Sequence, residues 1–243
     1  YFLKLPSHQE AFDLLLTALN DSNSFAKITG EVGTGKTMLC RKFLNSLEAH
    51  KDKYITAYIP HPILTEEGIM HTIADELGLE SKSNISYYEI LKRITEKLIS
   101  ISNAGMKVVL FIDEAQAMPE ETLEAVHLLT SAKVNEKKLL QILLFGQPEL
   151  DLLLSRPPLR RLSSNLSFSF QLTALDRDGL ESYVEYRLIK SGHNGPLIFT
   201  KNALDNLYTG SKGVPRLINI LAHKALMVAY GKGETLVHQQ HVE

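Results

Sequence analysis

A chain of 243 residues is long enough for one large domain, or for an α/β domain with a smaller one attached. Apolar residues at 44% and charged residues at 22% are those of an ordinary soluble globular protein, and the net charge of −2 lacks the basic footprint of a protein whose main business is duplex DNA. The single cysteine, Cys40, excludes an internal disulfide, and no run approaches the roughly 18 apolar residues of a membrane span. There is no charged-then-apolar leader, and the opening Tyr1-Phe2-Leu3 without an initiator Met reads as an excerpt of a longer protein.

Short apolar runs alternate with longer amphipathic stretches, the pattern of a parallel sheet covered by helices. Ser7 reads as the cap of a first helix with Glu10 completing a capping box, followed by Leu14, Leu15, Ala18 and Leu19 at helical spacing. Phe25 to Thr29 is the first expected strand, Lys36 to about Leu47 a helix, and Tyr54 to Ile59 a second strand ended by Pro60 and Pro62. Helices near Glu66–Leu77 and Ser86–Ser102 precede Val108 to Ile112, an uninterrupted apolar strand and so a central one. Pro119 opens a further helix, and Leu139 to Phe145 is another buried strand. Leu166 to Leu172 alternates polar and apolar, like a half-exposed strand. Beyond Asp176 only helices are expected, over Arg177–Lys190, Lys201–Tyr208 and Val214–Tyr230. A boundary near Leu172 to Asp176 divides an α/β core of five strands, residues 1–173, from a helical part, residues 174–243.

Gly30-Glu31-Val32-Gly33-Thr34-Gly35-Lys36-Thr37 matches G-x-x-x-x-G-K-[ST] in full, between an expected strand and an expected helix. The glycines let the backbone approach phosphates closely, and successive N–H groups can point into one concavity at a helix N-terminus. Lys36 then reaches the β- and γ-phosphates and the Thr37 hydroxyl ligates Mg²⁺, with Met38 closing the nucleotide-binding stretch. Asp113 and Glu114 follow the apolar strand directly. Asp113 is expected to hold Mg²⁺, beside the P-loop if the two strands are neighbours, and Glu114 to polarise the attacking water.

Gln147, after the strand ending at Phe145, is expected to emerge next to Asp113-Glu114, and is either a γ-phosphate or water contact or a turn residue before Pro148. Arg160 and Arg161 are either surface ion-pair residues or cations acting on a neighbouring subunit's γ-phosphoryl. Gly213-Val214-Pro215-Arg216 places Arg216 in the first turn of the last helix, where a cation opposes the helix dipole; a phosphate partner would compensate. Cys40 reads as core, and the nine histidines show no zinc-type grouping. Phe168 and Phe170 read as packing residues, and Lys51-Asp52-Lys53 and Lys137-Lys138 as solvated faces.

Together, the P-loop followed by Leu39-Cys40-Arg41, then Phe111-Ile112-Asp113-Glu114-Ala115-Gln116, Phe145-Gly146-Gln147-Pro148-Glu149-Leu150 and Gly213-Val214-Pro215-Arg216-Leu217-Ile218-Asn219, resemble an AAA+ ATPase. Within that class they are similar to the ExeA/GspA family of secretion ATPases. The MshM branch, tied to the mannose-sensitive haemagglutinin type IV pilus, is the nearest likeness. The resemblance implies a three-layer αβα core, a helical lid, and nucleotide-dependent homo-oligomers with ATP and Mg²⁺ at subunit interfaces. It implies Gln147 as first sensor, Arg216 as second sensor and Arg160 as arginine finger. It also implies work beside inner-membrane components of a pilus or secretion machine, at the cytoplasmic face. The chain departs from the family's L-R-Q-L-x-Q-R-I text: Arg161 replaces Gln, and Asn165 stands where a second arginine is expected. The family also carries a short segment upstream of Tyr1 that helps hold adenine. Two further readings stand beside the assembly motor: a DNA-associated regulator similar to transposition accessory ATPases, and a slow nucleotide-gated scaffold.

Overall fold

The computed structural model describes residues 6–21, 25–79, 85–130, 133–134 and 137–243. Spatial proximity groups them into two compact units, a larger one of residues 10–30 and 36–171 and a smaller one of residues 6–9, 31–35 and 172–243. Lys137, with Lys138 one of the solvated pair, has no described side chain.

In the larger unit the expected apolar runs become strands. A five-stranded sheet is built from β1 (Phe25–Gly30), β2 (Tyr54–Ile59), β3 (Lys107–Ile112), β6 (Leu140–Gly146) and β7 (Leu166–Leu172), in the order β2-β3-β6-β1-β7. A two-residue antiparallel ladder, β4 (Lys133–Val134) with β5 (Lys137–Lys138), precedes β6. The ladders of β1 with β6, β3 with β6 and β2 with β3 are parallel, with Thr29 opposite Gly146 and Ile112 opposite Leu144. The order corrects one expectation: β1 and β3 are not neighbours, because β6 lies between them. The residues that follow β1, β3 and β6 nonetheless leave the sheet at the same C-terminal edge, where open parallel sheets bind ligands.

β6 is buried throughout and β3 everywhere except Lys107, as continuous apolar text requires of strands covered on both faces. Val108, Leu110 and Ile112 pack with α3 (Glu66–Glu76), α4 (Tyr87–Asn103) and α5 (Glu120–Leu129), through Ile69, Ile94 and Val126 among others. On the other face Phe111 stacks on Phe145 and meets Phe43 of α2 (Lys36–Glu48), which contacts Phe12 of α1 (Pro6–Asn20) edge to face. Thr65 and Ser86 cap α3 and α4 through their hydroxyls, at 3.1 Å to the Gly68 N–H and 3.3 Å to the Glu89 N–H. The first helix begins at Pro6, so Ser7 lies inside its first turn and is not its cap. Two short helices went unexpected: α6 (Glu149–Leu154) and α7 (Arg160–Ser164). Phe168 and Phe170 are half-buried on the inward side of β7, alternating with exposed Ser167, Ser169 and Gln171.

The smaller unit contains α8 (Arg177–Lys190), α9 (Lys201–Ser211) and α10 (Pro215–Gly231) around Leu180, Val184, Leu204, Leu207, Ile218 and Ala225. Asp176 caps α8, accepting the Gly179 N–H at 2.7 Å. The entry to α10 is fixed by Gly213. Its φ is +73°, and a Cβ there would lie 1.9 Å from the Leu175 carbonyl oxygen, a position only glycine can hold. The Leu175 N–H in turn donates to the Gly213 carbonyl at 2.9 Å. Among the described residues, no helix is long and apolar enough to cross a membrane.

Candidate nucleotide-binding and catalytic site

In the larger unit, Gly30 ends β1 and Lys36 begins α2. The Lys36 Nζ is buried and donates to the Gly30 carbonyl at 2.7 Å. Thr37, next on α2, has its hydroxyl near enough to Asp113, at the end of β3, to favour the ionised carboxylate. Burial pushes the Asp113 carboxyl above its usual range, while hydrogen bonds from Thr37 and from the Glu114 N–H pull it back. Tyr58 on β2 places its hydroxyl 3.5 Å from the second Asp113 oxygen, and burial raises its phenol. Cys40, one turn beyond Lys36, is fully buried, and burial followed by the charge of Asp113 pushes its thiol up.

An oxygen-only pair of one hydroxyl and one carboxylate fits Mg²⁺, which keeps several waters and takes the rest of its shell from phosphates. Among the described residues no group of three or more His, Cys, Asp or Glu is placed to hold a metal, so an ion here would lean on such outside oxygens.

Glu114 occupies the left-handed region, φ 52° and ψ 37°, and so turns the chain out of β3 into a short 3₁₀ turn, Ala115–Ala117. Its Oε2 accepts from Gln116 Nε2 at 2.7 Å and from Gln147 Nε2 at 3.4 Å. Gln116 Oε1 accepts the Gln147 backbone N–H at 2.9 Å. Gln116 therefore ties the turn after β3 to the end of β6. Sequence reasoning assigned it no role. The signal was its position two residues past Glu114; Gln147 emerges beside Glu114 as expected, but nothing along the chain shows that Gln116 bridges the two.

In the smaller unit, residues 31–35 of the loop lie against two elements. The Arg216 backbone N–H donates to the Gly33 carbonyl at 3.3 Å. Gly33 has φ +87°, and a Cβ on it would meet the Arg216 Cβ at 2.7 Å. His8 of α1, buried, donates from Nε2 to the Thr34 carbonyl at 2.9 Å. No spacing along the chain signals this contact, whose partners lie 26 residues apart. Glu31, Val32 and Met38 are exposed, and so is the Arg216 side chain. Arg160 and Arg161 are exposed at the start of α7. Asn165, where the family text carries an arginine, donates its amide to His127 Nε2 at 3.0 Å and so staples the end of α7 to α5.

An AAA domain family model matches residues 19–154. General secretion pathway protein A of Aeromonas hydrophila is 37% identical over 239 residues, covering 98% of this chain and 43% of that protein, so the chain spans less than half the length of this relative. Among solved structures, Cdc6p of Pyrobaculum aerophilum superposes with a TM-score of 0.72 at 15% identity, over 98% of this chain and 66% of that one. ORC2 of Aeropyrum pernix gives 0.68 at 16%, over 99% and 66%. The Thermotoga maritima RuvB Holliday junction branch migration motor gives 0.63 at 17%, over 99% and 68%. At such identities these structures speak to fold alone. The family match and the likeness of nearly all of this chain to part of the secretion protein together place the chain in the AAA domain family, within its ExeA/GspA group.

Proposed function

We propose that the chain is the ATP-hydrolysing, Mg-dependent core-and-lid module of an assembly ATPase for a bacterial envelope machine, either a type II secretion-like system or a type IV pilus. The observation that carries the hydrolytic reading is the arrangement after β3. The Thr37 hydroxyl favours the ionised form of Asp113, and the residue after Asp113, Glu114, presents a carboxylate held by Gln116 and Gln147. Mg²⁺, when bound with ATP, would neutralise charge developing on the β- and γ-phosphates. Thr37 and Asp113 would hold it, Lys36 would leave the Gly30 carbonyl for phosphate oxygens, and the free oxygen of Glu114 would take the proton of the attacking water. Gln147 would orient that water or the γ-phosphate. Arg216, whose backbone already holds Gly33, would place its guanidinium near the phosphates as second sensor.

The exposed Arg160 would act on a neighbouring subunit's nucleotide, which makes the working form a homo-oligomer. The secretion role is carried over from the 37% identical relative, and the finer pilus role from the family texts alone. On this reading the module works at the cytoplasmic face of the inner membrane, beside membrane components of the machine.

The test is phosphate release measured against protein concentration, with Lys36→Ala and Glu114→Gln alongside. Activity per subunit that climbs with concentration and vanishes in both variants supports the reading. Wild-type turnover in Glu114→Gln removes the catalytic assignment. Near-zero release despite tight ATP binding favours a nucleotide-gated scaffold.

A further inference from the structure

The Thr34–Gly35 peptide is held from outside by a side chain that the hydrolytic reading does not use. A carbonyl oxygen can only accept, so at 2.9 Å from the Thr34 oxygen His8 Nε2 carries the hydrogen. His8 is only 5% exposed and Thr34 only 1%, so the bond is shielded from water. Gly35 has φ +103°, and a Cβ on it would sit 2.7 Å from His8 Nε2. The imidazole thus fills the space beside Gly35, against the backbone itself. No peptide bond of the described chain is cis. In a trans peptide the C=O and the following N–H point in opposite directions. Fixing the Thr34 oxygen toward α1 therefore directs the Gly35 N–H to the opposite side.

We propose that His8 is a positioning residue of the phosphate cradle, setting the Thr34–Gly35 peptide so that the Gly35 N–H faces a bound phosphate. The proposal rests on the nucleotide reading above and goes beyond it, since His8 lies outside the loop and touches no phosphate. Loss of the bond leaves a buried carbonyl unsatisfied and lets the peptide rotate. The cost falls on phosphate affinity, because an ordered donor is lost, while the fold retains its two cores.

The experiment measures Mg-ADP binding by calorimetry for the full chain, comparing wild type, His8→Met and His8→Gln, with Lys36→Ala as reference. Met and Gln are close in size, and only Gln can donate to the Thr34 oxygen. His8→Met is expected to weaken Mg-ADP binding about five- to tenfold, the scale of one hydrogen bond to a buried group. His8→Gln is expected to return within about twofold of wild type. Amide hydrogen exchange in the ligand-free protein should speed up over residues 31–37 in His8→Met and stay unchanged elsewhere. A merely structural role would not localise the change in this way. Wild-type affinity in His8→Met, equal losses in both variants, or global unfolding of His8→Met beside a folded His8→Gln would each overturn the assignment. Lys36→Ala that binds Mg-ADP like wild type would instead overturn the nucleotide reading, and the His8 role with it.

Discussion

Glu114 carries a left-handed backbone without being a glycine, a conformation costing on the order of 1 kcal/mol that persists only where neighbours over-determine it. Here its N–H donates to Asp113 Oδ1 at 3.0 Å and its carboxylate is tied by two amides. That rigidity suits a general base, which must be placed before it can act. Glu114→Gln is expected to lower turnover by about two orders of magnitude or more while leaving ATP affinity near wild type, read from single-turnover rates and calorimetry. Asp113 makes a second case. Its folded-state carboxyl is raised by burial, so the folded protein holds that proton more firmly than the unfolded chain does. Stability is then lost as pH rises from the ordinary carboxylate range through the raised value, and at neutral pH the ionised group is a burden on the fold. Asp113→Asn removes this charge and keeps an acceptor for Thr37. The expected outcome is a higher melting temperature without nucleotide, together with loss of Mg-dependent turnover. A lower melting temperature would refute the burial argument. Lys36, Thr37, Asp113 and Glu114 were legible as candidates because their spacing along the chain is itself the signal. Gln116 and His8 were not, because their partners lie 31 and 26 residues away, at Gln147 and Thr34.

Among the elements, long ones declared themselves and short ones did not. β2, β7 and α8 fall where they were expected, and α3 and α4 start at their Thr65 and Ser86 caps. α6 has six residues and α7 five, too few turns for periodicity to stand out from noise. In α6 the buried Leu150, Leu153 and Leu154 do follow helical spacing, but Leu152 between them is exposed. The turn into α10 yields a stability prediction. Gly213→Ala would force a Cβ against the Leu175 carbonyl in a left-handed residue, and should cost about 2–4 kcal/mol, measured by denaturant unfolding. The contact between α5 and the end of α7 yields a pH prediction. His127 accepts a hydrogen bond from Asn165, and burial lowers its pKa, so the fold keeps it neutral. As pH falls through the ordinary histidine range the unfolded chain takes up a proton that the folded chain resists, and stability declines. His127→Gln should flatten that decline in melting curves between about pH 7 and pH 5. An unchanged slope would show that another group governs it.

For the whole molecule, the proposed arginine finger predicts complementation between subunits. Arg160→Ala retains its own Glu114, and Glu114→Gln retains its Arg160, so each should be nearly inactive alone. A mixture should regain turnover at interfaces that combine one intact residue from each. No gain on mixing would remove Arg160, and activity in Arg160→Ala alone would turn attention to Arg161. The amino-acid sequence by itself determined the α/β class, the strands and longer helices, and the candidates for the proposed nucleotide chemistry. Those depend on local periodicity, on glycine freedom, and on charged residues that must follow a buried strand directly. Only the tertiary structure decided that β6 runs between β1 and β3, and that Gln116 bridges Glu114 and Gln147. It alone brought His8 and the Arg216 backbone onto the loop at residues 33–34. Strand order and such long-range contacts are set by which apolar faces bury one another across the folded chain, and no spacing along the chain records that choice.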